Sequence, residues 1–367
     1  KTVRPGPQIR RRSAVNYGPT GLTLRFSYSF PAHSRRILGE PASEVLGNRL
    51  TGLAMDLFDA VTLEKIETLA AHLQRRAAIR QAMESTGLVS FFPEGAIAAR
   101  DADGRAIPKA KALRVPEELA TEIVLDDGTR IRGLGLPKGI TVLAGSAFHG
   151  KTTLLEAISE ASAELQMTDG LSGACSLVQT EFVCVEEDRS VATCDLSPFF
   201  RSLPGQEPTE FSVDEASGAT SQAANLHEAL ASGARLLLVD EDASAANFLT
   251  RDPRMASLLP KGESVVPLVA RARELAARGV SLVVVAGASS EWLAVADGVI
   301  GLSEFQPIDA TAKAQAVSGK PKSRSRLPLP PIGPVRSTTR TWPNGRISRG
   351  FPAPRSACRT AWSGWDL

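Results

Sequence analysis

Leu22, Leu24, Phe26, Tyr28 and Phe30 alternate with Thr23, Arg25, Ser27 and Ser29, a period of two that predicts one half-buried strand. Residues 1–20 before it are basic and turn-rich and are expected to fray. From Ser43 the period lengthens to that of a helix: Ser43 is placed as an N-cap before Glu44, Leu46, Leu50 and Leu53. Thr62 with Glu64 opens a second run through Leu63, Ile66, Leu69, Leu73 and Ile79, so two packed helices are expected over residues 43–83. Leu88, Val89, Phe91 and Phe92 then read as a strand closed by Pro93, Glu94 and Gly95, and the polar residues 100–111 as a boundary between subdomains. The Asp127-Gly128 pair between residues 122–125 and 129–136 is a hairpin signal, and its second arm leads directly into a β-branched apolar run from Gly139 to Ala144.

That run carries the chemistry. Residues 145–152 fit G-x-x-x-x-G-K-[ST] at every fixed position, between a short buried strand and an amphipathic helix expected over 151–165. Gly145 and Gly150 permit backbone conformations closed to residues with a Cβ, so that the N–H groups of Ser146, Ala147, Phe148 and His149 point inward at a phosphate. Lys151 is placed to reach β- and γ-phosphates, Thr152 to put its hydroxyl on Mg²⁺, and Thr153 lies in the helix turn whose N-terminus favours an anion. The expected ligand is a nucleoside triphosphate, ATP. Downstream, residues 176–185 read as extended and end at an acidic cluster, Glu186, Glu187 and Asp188. Ser217-Gly218 precedes a helix expected over 223–231, a turn able to present a hydroxyl and N–H groups to a γ-phosphate across a dimer interface. Residues 235–239 form an apolar strand ending in Asp240 and Glu241, the first a magnesium-shell carboxylate and the second a base that polarises the attacking water. Alone, such a run is equally a buried strand with a charged end; after a phosphate loop, the catalytic reading prevails.

Composition narrows the setting. The 367 residues are 43% hydrophobic, enough for about two domains with a substantial core. No run approaches the ~18 apolar residues of a membrane span, and no compact apolar leader opens the chain, so a soluble protein without membrane span is expected. Cys175, Cys184, Cys194 and Cys358 show no C-x-x-C spacing, which suits reduced structural thiols inside a cell. The chain begins at Lys1 rather than Met, which leaves its true N-terminus, and the choice between cytoplasm and organelle matrix, open. The net charge of +2 conceals an asymmetry: eleven Lys/Arg against one Asp after residue 310, leaving 31 basic and 39 acidic residues in the remainder. Arg35, Arg36, Arg75, Arg76 and Arg80 form a second basic set, either a nucleic-acid face or a solvated helix face.

An antiparallel hairpin running into a P-loop strand is what an ABC-type ATPase core has. Residues 214–225 and 240–254, together with 87–91, 101–104, 133–141 and 148–151, resemble the predicted ABC-class ATPases, a family in which a trypanosome mitochondrial RNA-binding-complex ATPase is placed. The likeness spans about residues 20–310. It implies an α/β fold with a P-loop NTPase core of ABC type, expected over residues 112–310 after an α+β N-terminal domain over 1–111; the tail over 311–367 departs from the family, and its Pro-, Arg-, Ser- and Gly-rich composition reads as disordered and basic. It implies ATP and Mg²⁺ as cofactors and a homodimer sandwiching two ATP molecules; with no membrane span to argue for transport, action on RNA or a ribonucleoprotein is the leading expectation. Ser217 and Gly218 become signature contacts, and Ser244 and Asn247 D-loop residues. Two departures stand out. No histidine follows His227, so hydrolysis is slow or uses another γ-phosphate sensor, with Ser289 a candidate; and no aromatic lies between Phe92 and Phe148 to stack adenine. The tail is either an RNA arm, with Trp342, Trp362 and Trp365 as stacking groups, or an accident of reading frame. Two other functions remain open: a nucleotide-gated binding or assembly protein with little hydrolysis, and a P-loop small-molecule kinase.

Overall fold

A computed structural model describes residues 8–9, 15–18, 21–25, 27–60, 62–101, 105–107, 109–252 and 264–318. The N-terminal segment contributes small pieces. β1 (Gln8–Ile9) pairs with a later strand, β2 (Val15–Gly18) and β3 (Gly21–Leu24) make a hairpin, and β4 (Ala32–His33) pairs with β5 (Arg36–Ile37). The strand expected through Phe30 therefore stops at Leu24. Leu24 and Phe30 are 39% and 48% exposed, so those two positions of the alternation are not buried and further pairing there gains little.

α1 (Gly39–Ser43) continues through a π-helical stretch, Glu44–Arg49, into α2 (Leu50–Ala60). Ser43 is itself helical rather than a cap, because Pro41 is accommodated in a first turn that needs no N–H there. α3 (Leu63–Ser85) starts where expected: the Thr62 hydroxyl accepts the Lys65 N–H at 3.3 Å.

Ile79, Ala82 and Met83 of α3 are buried with Leu88, Val89, Phe91 and Phe92 of β6 (Leu88–Pro93). β6 pairs with β8 (Arg130–Pro137), which forms the expected hairpin with β7 (Ala120–Val124), and with β11 (Cys175–Ser176), giving an antiparallel sheet ordered β11-β6-β8-β7. The boundary expected between residues 111 and 112 does not divide this unit: α3 and β6 pack into the same core as the hairpin and the helix after the P-loop.

The central sheet is built from β9 (Ile140–Ala144), β12 (Thr180–Phe182), β15 (Leu236–Asp240), β16 (Ser281–Ala286), β17 (Gly298–Ser303) and β18 (Gln306–Asp309), ordered β12-β15-β16-β9-β17-β18. The first five are parallel and β18 is antiparallel at the edge. Strands buried on both faces read as unbroken apolar runs. Accordingly Leu236 and Leu238 face one core with α3, β6 and α4 (Lys151–Ala161), and Leu237 and Val239 the other with α5 (Gly218–Ala231) and the helix Leu268–Ala277.

α4 ends at Ala161 rather than Leu165, because Glu164 and Leu165 form β10 (Glu164–Leu165) against β1. β13 (Val191–Cys194) and β14 (Phe211–Val213) form a small separate pair before α5. The segment expected to be disordered from residue 311 begins as a helix, Thr311–Ser318, with Ala314 buried; the rest of the tail, with Cys358 and its tryptophans, lies outside the described residues. Cys175, Cys184 and Cys194 are buried without disulfides, and burial pushes the Cys194 thiol up to about 12. Among the described residues no helix is long and apolar enough to cross a membrane.

Candidate functional site

The loop between β9 and α4 depends on its two glycines. Gly145 (φ +146°) and Gly150 (φ +94°) lie where L side chains are strained, and each is also sterically closed. A Cβ on Gly145 would meet the Leu302 carbonyl oxygen at 2.6 Å, and one on Gly150 the Phe305 ring at 2.5 Å. Phe148, between them, is left-handed at φ 64° and 95% exposed. Gly150 stands at the N-cap of α4 with no side-chain cap, so the first turn of the helix, with Lys151, Thr152 and Thr153, opens toward the loop. Lys151 Nζ donates to the Ser146 carbonyl at 2.8 Å. His149 faces the β17–β18 turn: its Nδ1 accepts the Glu304 N–H at 2.9 Å and its carbonyl the Phe305 N–H at 3.1 Å.

β16 lies between β9 and β15, with Ala286 opposite Ala144 and Val285 opposite Asp240, which sets the end of β15 level with the loop. Thr152 Oγ1 donates to Asp240 Oδ2 at 2.7 Å, and the Asp242 N–H donates to Oδ1 at 3.1 Å. Asp240 is 2% exposed. Burial raises its carboxyl above the ordinary aspartate value, and the Thr152 and Asp242 hydrogen bonds only partly oppose that. Glu241 turns to the loop that follows β16: its Oε2 accepts the N–H groups of Gly287 at 2.6 Å and Ala288 at 2.9 Å. Ser289 is the next residue of that loop.

Ser217, Gly218, Ser244 and Asn247 form a second group. α5 starts at Gly218, five residues before the expected start, with Ser217 as its N-cap residue and the Ser217 hydroxyl 3.0 Å from that of Thr220. Buried Gln222 ties the helix to the segment after β15: Nε2 donates to Ser244 Oγ at 2.7 Å, and Oε1 accepts the Ala245 N–H at 2.9 Å. Ser244 Oγ in turn donates to the Asp240 carbonyl at 2.6 Å. Asn247 is exposed in the short helix α6 (Ala246–Leu249). The fold thus joins Lys151, Thr152, Asp240 and Glu241 at one place, and Ser217, Gly218, Ser244 and Asn247 at another. Among the described residues no hydrogen bond links Ser217 or Gly218 to the P-loop.

Of the acidic residues 186–188, Glu186 is committed to the fold. Glu186 accepts from Asn225 Nδ2 at 3.0 Å and from Arg189 at 2.7 Å, and its backbone is bracketed by the Ser221 hydroxyl, so it fastens α5. The basic set on α3 needs a larger correction. Arg76 is 1% exposed: Nε binds Glu164 at 2.9 Å, and its terminal nitrogens reach the carbonyls of Ala163, Ser172 and Ala174 at 2.8, 2.6 and 2.9 Å. Arg80 binds the other Glu164 oxygen at 2.6 Å. Neither is available to a polymer; Arg35, Arg36 and Arg75 remain exposed. Sequence reasoning missed the Gly287 and Ala288 amides and the Glu304-Phe305 turn, which reach the loop across the sheet and carry no motif of their own.

A family model for the P-loop domain of the ABC ATPases matches residues 62–334, and one for the N-terminal segment of ATPases of the ABC class matches residues 1–57. An uncharacterized protein of Methanocaldococcus jannaschii is 30% identical over 238 residues, 59% of this chain and 51% of that protein, so the chain spans about half the length of this relative. A crystal structure of the ADP conformation of an ATP-binding cassette of an ABC transporter overlaps 64% of this chain and 96% of that one, at 13% identity and a TM-score of 0.37.

Proposed function

The chain belongs to the ABC-class ATPases, and from that premise we propose that it binds ATP with Mg²⁺ and hydrolyses it to ADP and phosphate between two copies of itself. The observation that carries this reading is the 2.7 Å contact between Thr152 and Asp240, a hydroxyl and a buried carboxylate held side by side next to the first turn of α4. That pair fits Mg²⁺, a hard cation that takes few protein oxygens and completes its shell with phosphate and water. Thr152 and Asp240 would hold it, and the ion would supply positive charge to offset that of the phosphates. The loop N–H groups of 145–150 and the first turn of α4 hold the phosphates, and Lys151 exchanges its bond to the Ser146 carbonyl for one to the phosphate chain.

Glu241 polarises the attacking water once it leaves the amides of Gly287 and Ala288. This engaged carboxylate also favours the second reading, a nucleotide-gated protein that turns over slowly until its Glu241 is released. Ser217 and Gly218 would meet the γ-phosphate bound by a partner subunit, with Ser244 and Asn247 as the neighbouring contacts; the bonds from Gln222 of the same helix to Ser244 and Ala245 support that reading. Glu241→Gln spares Asp240, so with Mg²⁺ and ATP it should form a stable dimer by light scattering. A Glu241→Gln protein that stays monomeric at saturating ATP rejects the sandwich.

RNA or a ribonucleoprotein is the proposed substrate, through the basic tail rather than α3, whose Arg76 and Arg80 are sequestered. Truncation after Ser318 should weaken RNA affinity and flatten its salt dependence; unchanged binding and slope would reject the tail as the RNA arm.

A further inference from the structure

We propose that Phe305 is the platform on which the base of the bound nucleotide stacks, an assignment that rests on the nucleotide reading above. The strand order fixes which way the nucleotide must lie. Asp240 and Glu241, which serve the terminal phosphate, stand two strands from β9 on the β16 side. The sugar and base, at the opposite end of the phosphate chain, leave on the other side of β9, where β17 runs parallel to it and delivers the β17–β18 turn to the same end of the sheet. Phe305 is in that turn.

The turn is held at some cost. Ser303 pairs with Gln306, and the two residues between them, Glu304 (φ 49°) and Phe305 (φ 66°), are both left-handed although neither is Gly or Asn. Such a conformation is rare for an aromatic residue and persists when its surroundings over-determine it. They do so here. Glu304 and Phe305 donate their N–H groups to His149 of the P-loop, and Lys111 pairs with Glu304 at 2.8 Å. Gln306 holds the Arg114 N–H at 2.8 Å and the Ala112 carbonyl at 3.1 Å.

The result is a large apolar ring fixed against the α-carbon of Gly150, with 47% of the residue open to solvent at the rim of the phosphate loop. A preorganised, half-covered ring is what base stacking requires: one part anchors it and the other receives the base. Phe148, the other aromatic at the loop, is 95% exposed and has no such anchor. Stacking is tolerant of base identity, so Phe305 favours a nucleoside triphosphate over a bare triphosphate without by itself selecting adenine.

Calorimetry with Mg²⁺-ATP and Mg²⁺-tripolyphosphate tests this on the parent protein and on Phe305→Ala, Phe305→Trp and Phe148→Ala. Phe305→Ala should weaken ATP about tenfold and leave tripolyphosphate unchanged. Phe305→Trp should restore ATP affinity, with fluorescence beyond that of the parent quenched by ATP but not by tripolyphosphate. Equal weakening of both ligands means the ring only props up Gly150 and overturns the proposal, as does parental ATP affinity in Phe305→Ala, or a loss that follows Phe148→Ala instead. A parent protein that binds neither ligand overturns the nucleotide reading and this one with it; binding by the parent that is indifferent to Phe305 overturns this one alone.

Discussion

The Arg76 cluster and the Lys151 cluster use the same kinds of residue, basic and acidic side chains beside main-chain carbonyls, and the fold treats them in opposite ways. Every nitrogen of the Arg76 guanidinium has a partner: Glu164 on one side and the carbonyls at the end of α4 and before β11 on the other. Lys151 makes one hydrogen bond among the described residues, to the Ser146 carbonyl, and Asp240 and Glu241 are held only by a hydroxyl and by backbone amides. A saturated buried charge is committed to the fold, because any other partner would have to break bonds that cannot be replaced by water. A charge with spare donors or acceptors at a loop can change partners, which binding and catalysis require.

That contrast can be broken from either side. Arg76→Ala removes the hub of the saturated cluster, leaving one Glu164 oxygen and several buried carbonyls without their partner while Arg80 keeps the other oxygen, so unfolding in urea should show a loss of about 3–5 kcal/mol. The fraction that remains folded should bind ATP as the parent does; a stability within about 0.5 kcal/mol of the parent would mean that Arg76 is not structural. Lys151→Ala reverses the pattern. It should lower ATP affinity by about a hundredfold in calorimetry, the order of a charge-assisted hydrogen bond, with stability unchanged. Parental affinity in that variant would remove the P-loop assignment.

Acid separates the two clusters more gently. At Glu164 burial pushes the carboxyl up, but the bonds from Arg80 and Arg76 outweigh it, so the folded value lies below the ordinary 4.5. Its stabilising contribution is therefore complete above the unfolded value and is lost only as pH falls through the lowered one. Asp240 is shifted the other way, above the ordinary 3.8. The proton it then takes up competes with Mg²⁺, so the magnesium-dependent part of ATP affinity should fail at a higher pH than the fold does. Simultaneous loss of both on titrating toward acid would contradict these opposite shifts.

What the sequence disclosed follows the same division between local and distant. The phosphate loop, the hairpin at Asp127-Gly128 and the cap at Thr62 are legible because their causes lie within a few residues: two glycines, a turn pair, a hydroxyl three residues before an N–H. Arg76 could not be assigned in that way, since what buries it comes from residues 163–174, drawn in by β10 and the segment before β11. The alternation from Leu22 to Phe30 misled because a period of two predicts a strand only where something covers its apolar face. Phe305 was hidden for a third reason: Glu304-Phe305 carries none of the glycine or asparagine that marks a tight turn, since the P-loop itself holds the turn in place.

The position of β9 has a consequence for how the molecule is made. Its sheet neighbours are β16 and β17, which begin at Ser281 and Gly298, so the strand that leads into the phosphate loop is the first of the central sheet to leave a ribosome and among the last to be paired. While residues 145–280 are being added, a largely apolar strand waits with both edges open, which exposes the nascent chain to mispairing and to capture by chaperones. Loops of that length also close slowly compared with helical or hairpin contacts. Ribosome-bound chains halted before Ser281 should therefore lack a protected β9 in hydrogen exchange, and the capacity to hold a nucleotide should arise late and abruptly, when the last third of the chain arrives.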